Sequence, residues 1–266
     1  MPYLDTDTHR FRYLDEGSGA PVILLHSSGA SASQWRALIE GYANRYRFLA
    51  PDLVGYGGTE PLIDQPYSPR QEVSIVERLV DYVDQPTHLI GHSFGGAVAL
   101  DTGLALGGRV NSITAIEPVL FELLRRPREQ QAWQEIEAVA ETHVRLVEAG
   151  EISAAADRFM TYWIGAVAWE ATPEKLRAYI IGTMGKIADE WRGFLGRPDD
   201  GEEFATIAAR VHLIRATDTT LAAGRVTEVL RGYMANARYS IIEGAGHLSP
   251  ITHPQLVNPV IIEGLG

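Results

Sequence analysis

One serine lies between two glycines in the segment Gly91–Gly95, which reads Gly-His-Ser-Phe-Gly. An apolar run, Thr87–Ile90, precedes the segment, and a run of small residues compatible with a helix, Ala97–Leu100, follows it. Strand, sharp turn and helix in this order are the setting in which G-x-S-x-G forms a nucleophile elbow. The turn is so tight that a Cβ at either flanking glycine would meet neighbouring backbone. We therefore predict Ser93 to be a nucleophile, held in a strained conformation with its hydroxyl raised into a cleft.

A serine hydroxyl is a poor nucleophile until a base removes its proton, and that base is commonly a histidine oriented by a carboxylate. The chain has eight histidines. We favour His247, because it ends the glycine-containing segment Glu243–His247 directly after the last predicted strand. His253 is the alternative, although Thr252-His253-Pro254 is typical of the start of a helix.

Two carboxylates are candidates for the residue that orients the histidine. Asp218 follows the predicted strand Val211–Ile214, and the chain order serine, aspartate, histidine is the one expected for this type of elbow. Glu117 follows the predicted strand Val110–Ile116 and also lies at a carboxyl end. We prefer Asp218 and keep Glu117 as the alternative acid.

An oxyanion hole requires two backbone donors that are already in place. The N–H of Phe94, directly after the nucleophile, is one candidate, because it would lie at the start of a helix where N–H groups are free. The second is the N–H of Ser28, in the loop His26–Ala30 that follows the apolar run Val22–Leu25. We expect His26 to have a structural role in bonding neighbouring loops.

Composition excludes several classes of function. The formal net charge of −11 leaves no basic stripe for nucleic acid or for an anionic membrane surface. The chain has no cysteine, which removes disulfides, thiolate catalysis and cysteine-ligated metal. No metal-ligand spacing, cofactor motif, secretory leader or apolar stretch of membrane-spanning length is visible. We expect a cytoplasmic protein that acts on a small molecule without a metal or cofactor; the sequence leaves the oligomeric state open.

Apolar strand-like runs alternate with helical patterns, which is typical of an α/β fold with a mostly parallel sheet covered by helices on both faces. The alternation stops after the strand Val110–Ile116, and the chain reads as helical from Leu120 to about Asp200. We predict a core domain formed by residues 1–119 and 201–266, with residues 120–200 inserted as a helical cap. One helix of the insertion is predicted to start at Thr172 and to continue past Ile187.

The motifs taken together resemble the α/β-hydrolase fold, in the branch of serine hydrolases that carry a helical cap. The resemblance rests on five segments: His26–Gly29, Asp52–Gly57, Gly91–Gly96, Asp218 and Gly244–His247. It implies a central sheet of about eight strands, with Ser93 as nucleophile, His247 as general base and acid, and Asp218 as the orienting carboxylate. Some relatives place the acid where Glu117 stands.

The resemblance also implies a reaction. A serine at position 93 argues against haloalkane dehalogenases and epoxide hydrolases, which resemble this branch but use aspartate as nucleophile. We expect a serine esterase that cleaves a small, mainly apolar ester through an acyl-enzyme. The alternatives are hydrolysis of a carbon–carbon bond, as similar capped relatives perform, and a ligand receptor with slow hydrolysis.

Overall fold

The computed structural model describes residues 1–61, 67–198 and 201–265. Its strands are β1 (Tyr3–Asp5), β2 (Arg10–Gly17), β3 (Ala20–Leu25), β4 (Tyr46–Pro51), β5 (Thr87–His92), β6 (Val110–Ile116), β7 (Arg210–Ala216) and β8 (Arg238–Ile242). Its helices are α1 (Arg36–Tyr42), α2 (Pro69–Val83), α3 (Phe94–Leu106), α4 (Gln130–Glu148), α5 (Ile152–Ile164), α6 (Ala166–Glu170), α7 (Glu174–Gly182), α8 (Met184–Leu195), α9 (Leu221–Tyr233), α10 (Ser249–Thr252) and α11 (Pro254–Glu263). None of these helices combines the length and the apolar character needed to cross a membrane.

The eight described strands form one sheet in the order β1-β2-β4-β3-β5-β6-β7-β8. Strands β3 to β8 pair in parallel, whereas β1 and β2 pair in antiparallel fashion at one edge. The predicted α/β fold with a mostly parallel sheet is therefore confirmed. Because all carboxyl ends of β3 to β8 lie at one edge, the loops that follow them meet there.

Strand β3 shows why its sequence is continuously apolar. Alternate side chains of a strand point to opposite faces of a sheet. Val22 and Leu24 belong to one hydrophobic cluster, which Leu38 of α1 and Ile261 of α11 cover. Ile23 and Leu25 belong to a second cluster on the other face, with residues of α2 and α3. Both faces of β3 are thus buried, and the strand has no side that requires polar residues.

The connection between β6 and β7 carries the helices α4 to α8, which we call the helical block (Gln130–Leu195). The single helix predicted from Thr172 past Ile187 is wrong, since the chain forms α7 and α8 with Thr183 between them. At this position both the backbone N–H and the hydroxyl of Thr183 donate to the carbonyl of Ile180, which closes a tight turn. Residues 199 and 200, the end of the predicted insertion, lie outside the described residues.

Candidate active site

The turn between β5 and α3 has the geometry that its sequence requires. Ser93 has φ 56° and ψ −116°, which is a strained conformation for a residue with a side chain. A Cβ on Gly91 would lie 2.0 Å from the carbonyl oxygen of Gly95, and a Cβ on Gly95 would lie 2.2 Å from that of Leu25. Both contacts are with backbone, which cannot move aside. The steric reason predicted for the two glycines is therefore confirmed.

Three buried side chains form a hydrogen-bonded chain at this turn. The Oγ of Ser93 lies 3.0 Å from the Nε2 of His247, and the Nδ1 of the same ring lies 2.7 Å from the Oε2 of Glu117. All three side chains are almost completely removed from solvent. A hydroxyl, an imidazole and a carboxylate in this order have the arrangement in which the imidazole accepts the hydroxyl proton.

The structure places Glu117, and not the preferred Asp218, beside His247. Asp218 is exposed, and its backbone N–H donates to the carbonyl of Ala245 in the loop that leads to the histidine. The backbone of Asp218 thus supports the histidine loop, while its side chain faces solvent. The alternative acid, Glu117, therefore occupies the position next to the ring that was expected for Asp218, and the role of either carboxylate in catalysis stays a prediction.

The position of Glu117 follows from the two strands that end beside each other. Glu117 comes directly after β6 with φ 44°, a left-handed conformation that turns the chain sharply. Its backbone N–H donates to the carbonyl of Ile214 in β7. Its carboxylate accepts from the N–H of Ala216 (2.8 Å) and from the hydroxyl of Thr219 (2.8 Å). The last residue of β7 and the loop after it therefore supply donors to the carboxylate that follows β6.

His92, the second residue of the elbow, was not singled out from the sequence. Its Nε2 lies 2.8 Å from the carbonyl oxygen of His247, and its Nδ1 lies 3.3 Å from the amide nitrogen of Gln34. Burial and the neighbouring His247 lower the pKa of His92 well below its usual range. A neutral ring that donates through Nε2 and accepts through Nδ1 satisfies both contacts. His92 thereby holds the backbone of His247 in place.

Trp163, at the end of α5, lies against the other side of the same histidine. Its ring stacks on the imidazole of His247 with 4.0 Å between ring centroids and 22° between ring planes. No local pattern pairs residues so far apart in the chain, so this contact was not predictable.

The predicted oxyanion donors lie close to the serine. Phe94 is the first residue of α3, and Ser28, Ser93 and Phe94 line one small pocket. The hydroxyl of Ser28 donates to Glu190 of α8 at 2.5 Å. Their use as oxyanion donors stays a prediction.

His26 connects two loops at the ends of neighbouring strands. The N–H of Leu53 donates to its Nε2 (3.0 Å), and its Nδ1 lies 2.8 Å from the carbonyl oxygen of Ser27. Complete burial of the ring lowers the pKa of His26 to about 4. These contacts agree with the structural role expected for this residue.

A buried group of charges lies behind the Ser28 loop. Lys186 of α8 contacts the carboxylates of Glu72 (3.0 Å) and Glu190 (3.1 Å). The hydroxyl of Tyr56 also donates to Glu190, at 2.6 Å. Burial raises the pKa of Glu72 and that of Tyr56. Glu72 belongs to α2 and Glu190 belongs to α8, and Glu190 also accepts from Ser28. The group therefore connects α2, the helical block and the loop His26–Ala30.

Two cavities meet at Ser93. The large one has a volume of about 1110 Å³ and the small one a volume of about 30 Å³. Side chains that line the large cavity include Trp163, Ile164, Leu176, Ile180, Leu248 and Ile251. The nucleophile therefore opens onto a cavity of the size that holds a small organic molecule, with mainly apolar walls.

Comparison with known proteins agrees with this fold. A 2-hydroxy-6-oxo-6-(2'-aminophenyl)hexa-2,4-dienoic acid hydrolase of Metapseudomonas resinovorans is 34% identical over 111 residues, which is 38% of this chain and 37% of that protein. The chain spans well under half the length of the first curated relatives that it matches, 32% to 39% of each.

Solved structures match along the whole chain. An enol-lactonase from Burkholderia xenovorans superimposes with a TM-score of 0.81 at 19% identity, with 99% of both chains covered. A thermophilic esterase from Thermogutta terrifontis superimposes with a TM-score of 0.80 at 21% identity, with 100% of this chain and 98% of that chain covered. At these identities the likeness shows the fold. The sequence itself matches the alpha/beta hydrolase family over residues 22–260, and the chain belongs to that family.

Proposed function

We propose that the protein is a serine hydrolase that cleaves a mainly apolar carboxylic ester through an acyl-enzyme. The observation that carries the proposal is the chain of two hydrogen bonds from Ser93 through His247 to Glu117. It opens onto a cavity with mainly apolar walls. The family and the names of the relatives support hydrolase chemistry in general.

The steps follow from the positions of these atoms. The Oγ of Ser93 attacks the ester carbonyl carbon while Nε2 of His247 takes the hydroxyl proton. The carbonyl oxygen becomes an oxyanion, for which the N–H groups of Phe94 and Ser28 are the proposed donors. Nε2 then gives the proton to the alcohol oxygen as the carbon–oxygen bond breaks. Water, deprotonated by the same ring, releases the acid and restores Ser93.

Glu117 has the role that the sequence analysis assigned first to Asp218. Its carboxylate accepts a hydrogen bond from Nδ1–H and stabilises the imidazolium that forms when the ring takes the serine proton. The helical block is proposed to act as the cap of the site, because Trp163 and Leu176 bring it over the serine and the histidine. A cap of this kind excludes water from the reacting atoms.

Labelling with a fluorophosphonate tests the nucleophile. We expect the protein to be labelled at Ser93, and the Ser93→Ala variant to lose both labelling and ester turnover. Ser33→Ala is the matched control, since Ser33 is an exposed serine that lines the same large cavity. Unchanged labelling of Ser93→Ala would overturn the proposal.

A carbon–carbon hydrolase is the second candidate, favoured by the 34% identity to the dienoic acid hydrolase. The two candidates use the same nucleophile but differ in the bond that breaks. We expect turnover of aryl and alkyl esters to exceed turnover of a 2-hydroxy-6-oxo-dienoate at equal concentrations. The opposite order, measured as kcat/KM on the same preparation, would replace the esterase proposal with the second candidate.

A further inference from the structure

We infer that the two halves of the ester bind in two cavities of unequal size, so that the substrates are esters of a short, uncharged acyl group with a bulky alcohol. This inference rests on the proposed function and adds a substrate class to it. The evidence is the position of the two cavities relative to Ser93 and His247, their volumes, and the one charged side chain among the described residues of the small pocket.

The two cavities share a boundary at the nucleophile. Ser28, Ser93, Phe159 and Trp163 contribute to the walls of both cavities. A carbonyl carbon attacked by Ser93 would therefore lie where the cavities meet. Its two substituents, the acyl chain and the alcohol oxygen, would extend in different directions, one into each cavity.

The direction of proton transfer decides which half enters which cavity. The alcohol oxygen receives its proton from Nε2 of His247 as the bond breaks. His247 and the following Leu248 line the large cavity, whereas the described residues of the small pocket include Phe94 and Phe121 instead. The alcohol therefore occupies the large cavity, and the acyl chain occupies the small pocket beside the start of α3.

The volumes set the size of each half. The small pocket, about 30 Å³, has room for two or three groups of the size of a water molecule or a methyl, at roughly 10–15 Å³ for each. An acetyl or propionyl chain fits this space. The large cavity, about 1110 Å³, is far larger than a methyl or ethyl alcohol would fill. The small size expected of the substrate therefore applies to its acyl half.

The charge in the small pocket determines which acyl groups it can bind. Glu190 is the one charged side chain among the described residues that line it. Its carboxylate is held by the hydroxyls of Ser28 and Tyr56 and by Lys186, which is itself shared with Glu72. An anionic acyl group would lose its hydration next to this carboxylate without gaining a free cation, so an uncharged acyl group is favoured.

Two constitutional isomers test the size of the two halves without any variant. Benzyl acetate joins a short acyl group to a bulky alcohol, whereas methyl phenylacetate joins a bulky acyl group to a small alcohol. The two esters have equal mass, and their alcohols are leaving groups of similar ability. We expect kcat/KM for benzyl acetate to be about 10- to 100-fold higher, the range that steric misfit produces in a closed pocket. Equal values or the reverse order would overturn the inference while leaving the hydrolase proposal intact.

Variants in each cavity sharpen the same test. Ile187 lines the small pocket, and Ile187→Ala should raise kcat/KM for methyl phenylacetate relative to benzyl acetate. Val167 belongs to the same helical block but is exposed and is not among the described residues that line either cavity, so Val167→Ala is the matched control and should leave this ratio unchanged. An unaltered ratio in a folded Ile187→Ala protein would count against the small pocket as the acyl site.

Charge is tested with benzyl isobutyrate and monobenzyl oxalate, in which an isopropyl group and a carboxylate of similar shape, three heavy atoms each, follow the ester carbonyl, and each rate is divided by the rate of hydrolysis by hydroxide alone. We expect the wild type to prefer the uncharged ester, and Glu190→Gln to reduce that preference. Equal rates on both esters in the wild type would refute the charge condition. If the wild-type protein is not labelled by a fluorophosphonate and hydrolyses none of the four esters, the proposed function itself is refuted.

Discussion

The ends of β6 and β7 lie side by side, and each is followed by a carboxylate with a different fate. Glu117, after β6, is buried and bonded to an imidazole and to two donors. Asp218, after β7, is exposed. Both positions looked suitable in sequence, because both follow a buried parallel strand. The difference shows that a strand end becomes an acid site only where the neighbouring loop supplies donors.

The loop after β7 has a supporting role. Ala216 and Thr219 donate to the carboxylate of Glu117, and the hydroxyl of Thr217 accepts from the N–H of Gly244 in the histidine loop. The end of β7 and the loop after it thus contact both Glu117 and the loop that leads to His247. Substitutions around the two strand ends should therefore differ widely in their effect on catalytic rate. We expect the greatest loss of rate at the buried Glu117 and the least at the exposed Asp218.

Replacing Glu117 tests the buried end directly. Glu117→Gln places an amide opposite Nδ1 of His247, and the amide can favour the wrong tautomer of the ring while losing the charge that stabilises imidazolium. We expect kcat to fall about 10⁴-fold, the size seen when the orienting carboxylate of such a triad is made neutral. Steady-state ester hydrolysis measures it, with circular dichroism as the check on folding. A loss of less than tenfold would remove Glu117 from the proposed triad.

His26, which follows β3, is also completely buried. Its burial predicts that the folded protein loses stability in acid. Burial lowers the pKa of His26 to about 4, whereas the unfolded chain has the ordinary value of about 6.5. As the pH falls from 6.5 to 4, the unfolded chain binds a proton that the folded chain does not, so stability falls with pH. Over this window His26 accounts for a loss of about 3 kcal/mol.

Denaturant unfolding at pH 7, 6, 5 and 4 measures this loss. His26→Gln should flatten the decline between pH 6.5 and 4, because the variant has no ring to protonate. His253→Gln, at a site where the ring contacts the side chain of Thr252 at the surface, is the control. A decline of equal slope in wild type and His26→Gln would show that other groups cause it.

Thr219 tests the contribution of one donor from the supporting loop. Its hydroxyl lies 2.8 Å from the Oε2 of Glu117, the same oxygen that faces His247. Thr219→Val keeps the shape and removes the bond, which should cost about 1 kcal/mol and lower kcat about fivefold to tenfold. Thr219→Ser should restore most of the rate. Full activity in Thr219→Val would show that Glu117 is held adequately without this bond.

The smallest effect is expected at the exposed end. Asp218→Asn keeps the backbone N–H that donates to Ala245 and changes only an exposed side chain. We expect kcat/KM to change by no more than about twofold, as for most surface substitutions. A loss comparable with that of Glu117→Gln would reverse the comparison and return the role of the acid to Asp218.

The parts of the molecule that were predictable are those that local sequence determines. The predicted apolar run Val22–Leu25 lies in β3, because a strand buried on both faces is continuously apolar. β6 has the bounds predicted for it, Val110–Ile116. The elbow was predictable because the two glycines and the serine are required by one turn. The choice between Glu117 and Asp218 was not, since it depends on donors that come from another strand end.

Two further features are not encoded in the apolar spacing of one segment. The break at Thr183 divides a run whose apolar spacing is helical on both sides, although the chain turns there. The stacking of Trp163 on His247 joins the helical block to the last loop of the core. Spacing within one segment carries no signal for either.

The contact of an indole with the imidazole of His247 gives this protein an optical reporter. Indole emission is sensitive to the charge of a ring in van der Waals contact with it, so the fluorescence of Trp163 should follow each change in protonation of that ring. Subtracting the spectrum of Trp163→Phe would isolate this signal from the other four tryptophans of the chain. A stopped-flow trace would then time the proton's arrival and departure during a single turnover, without an added dye.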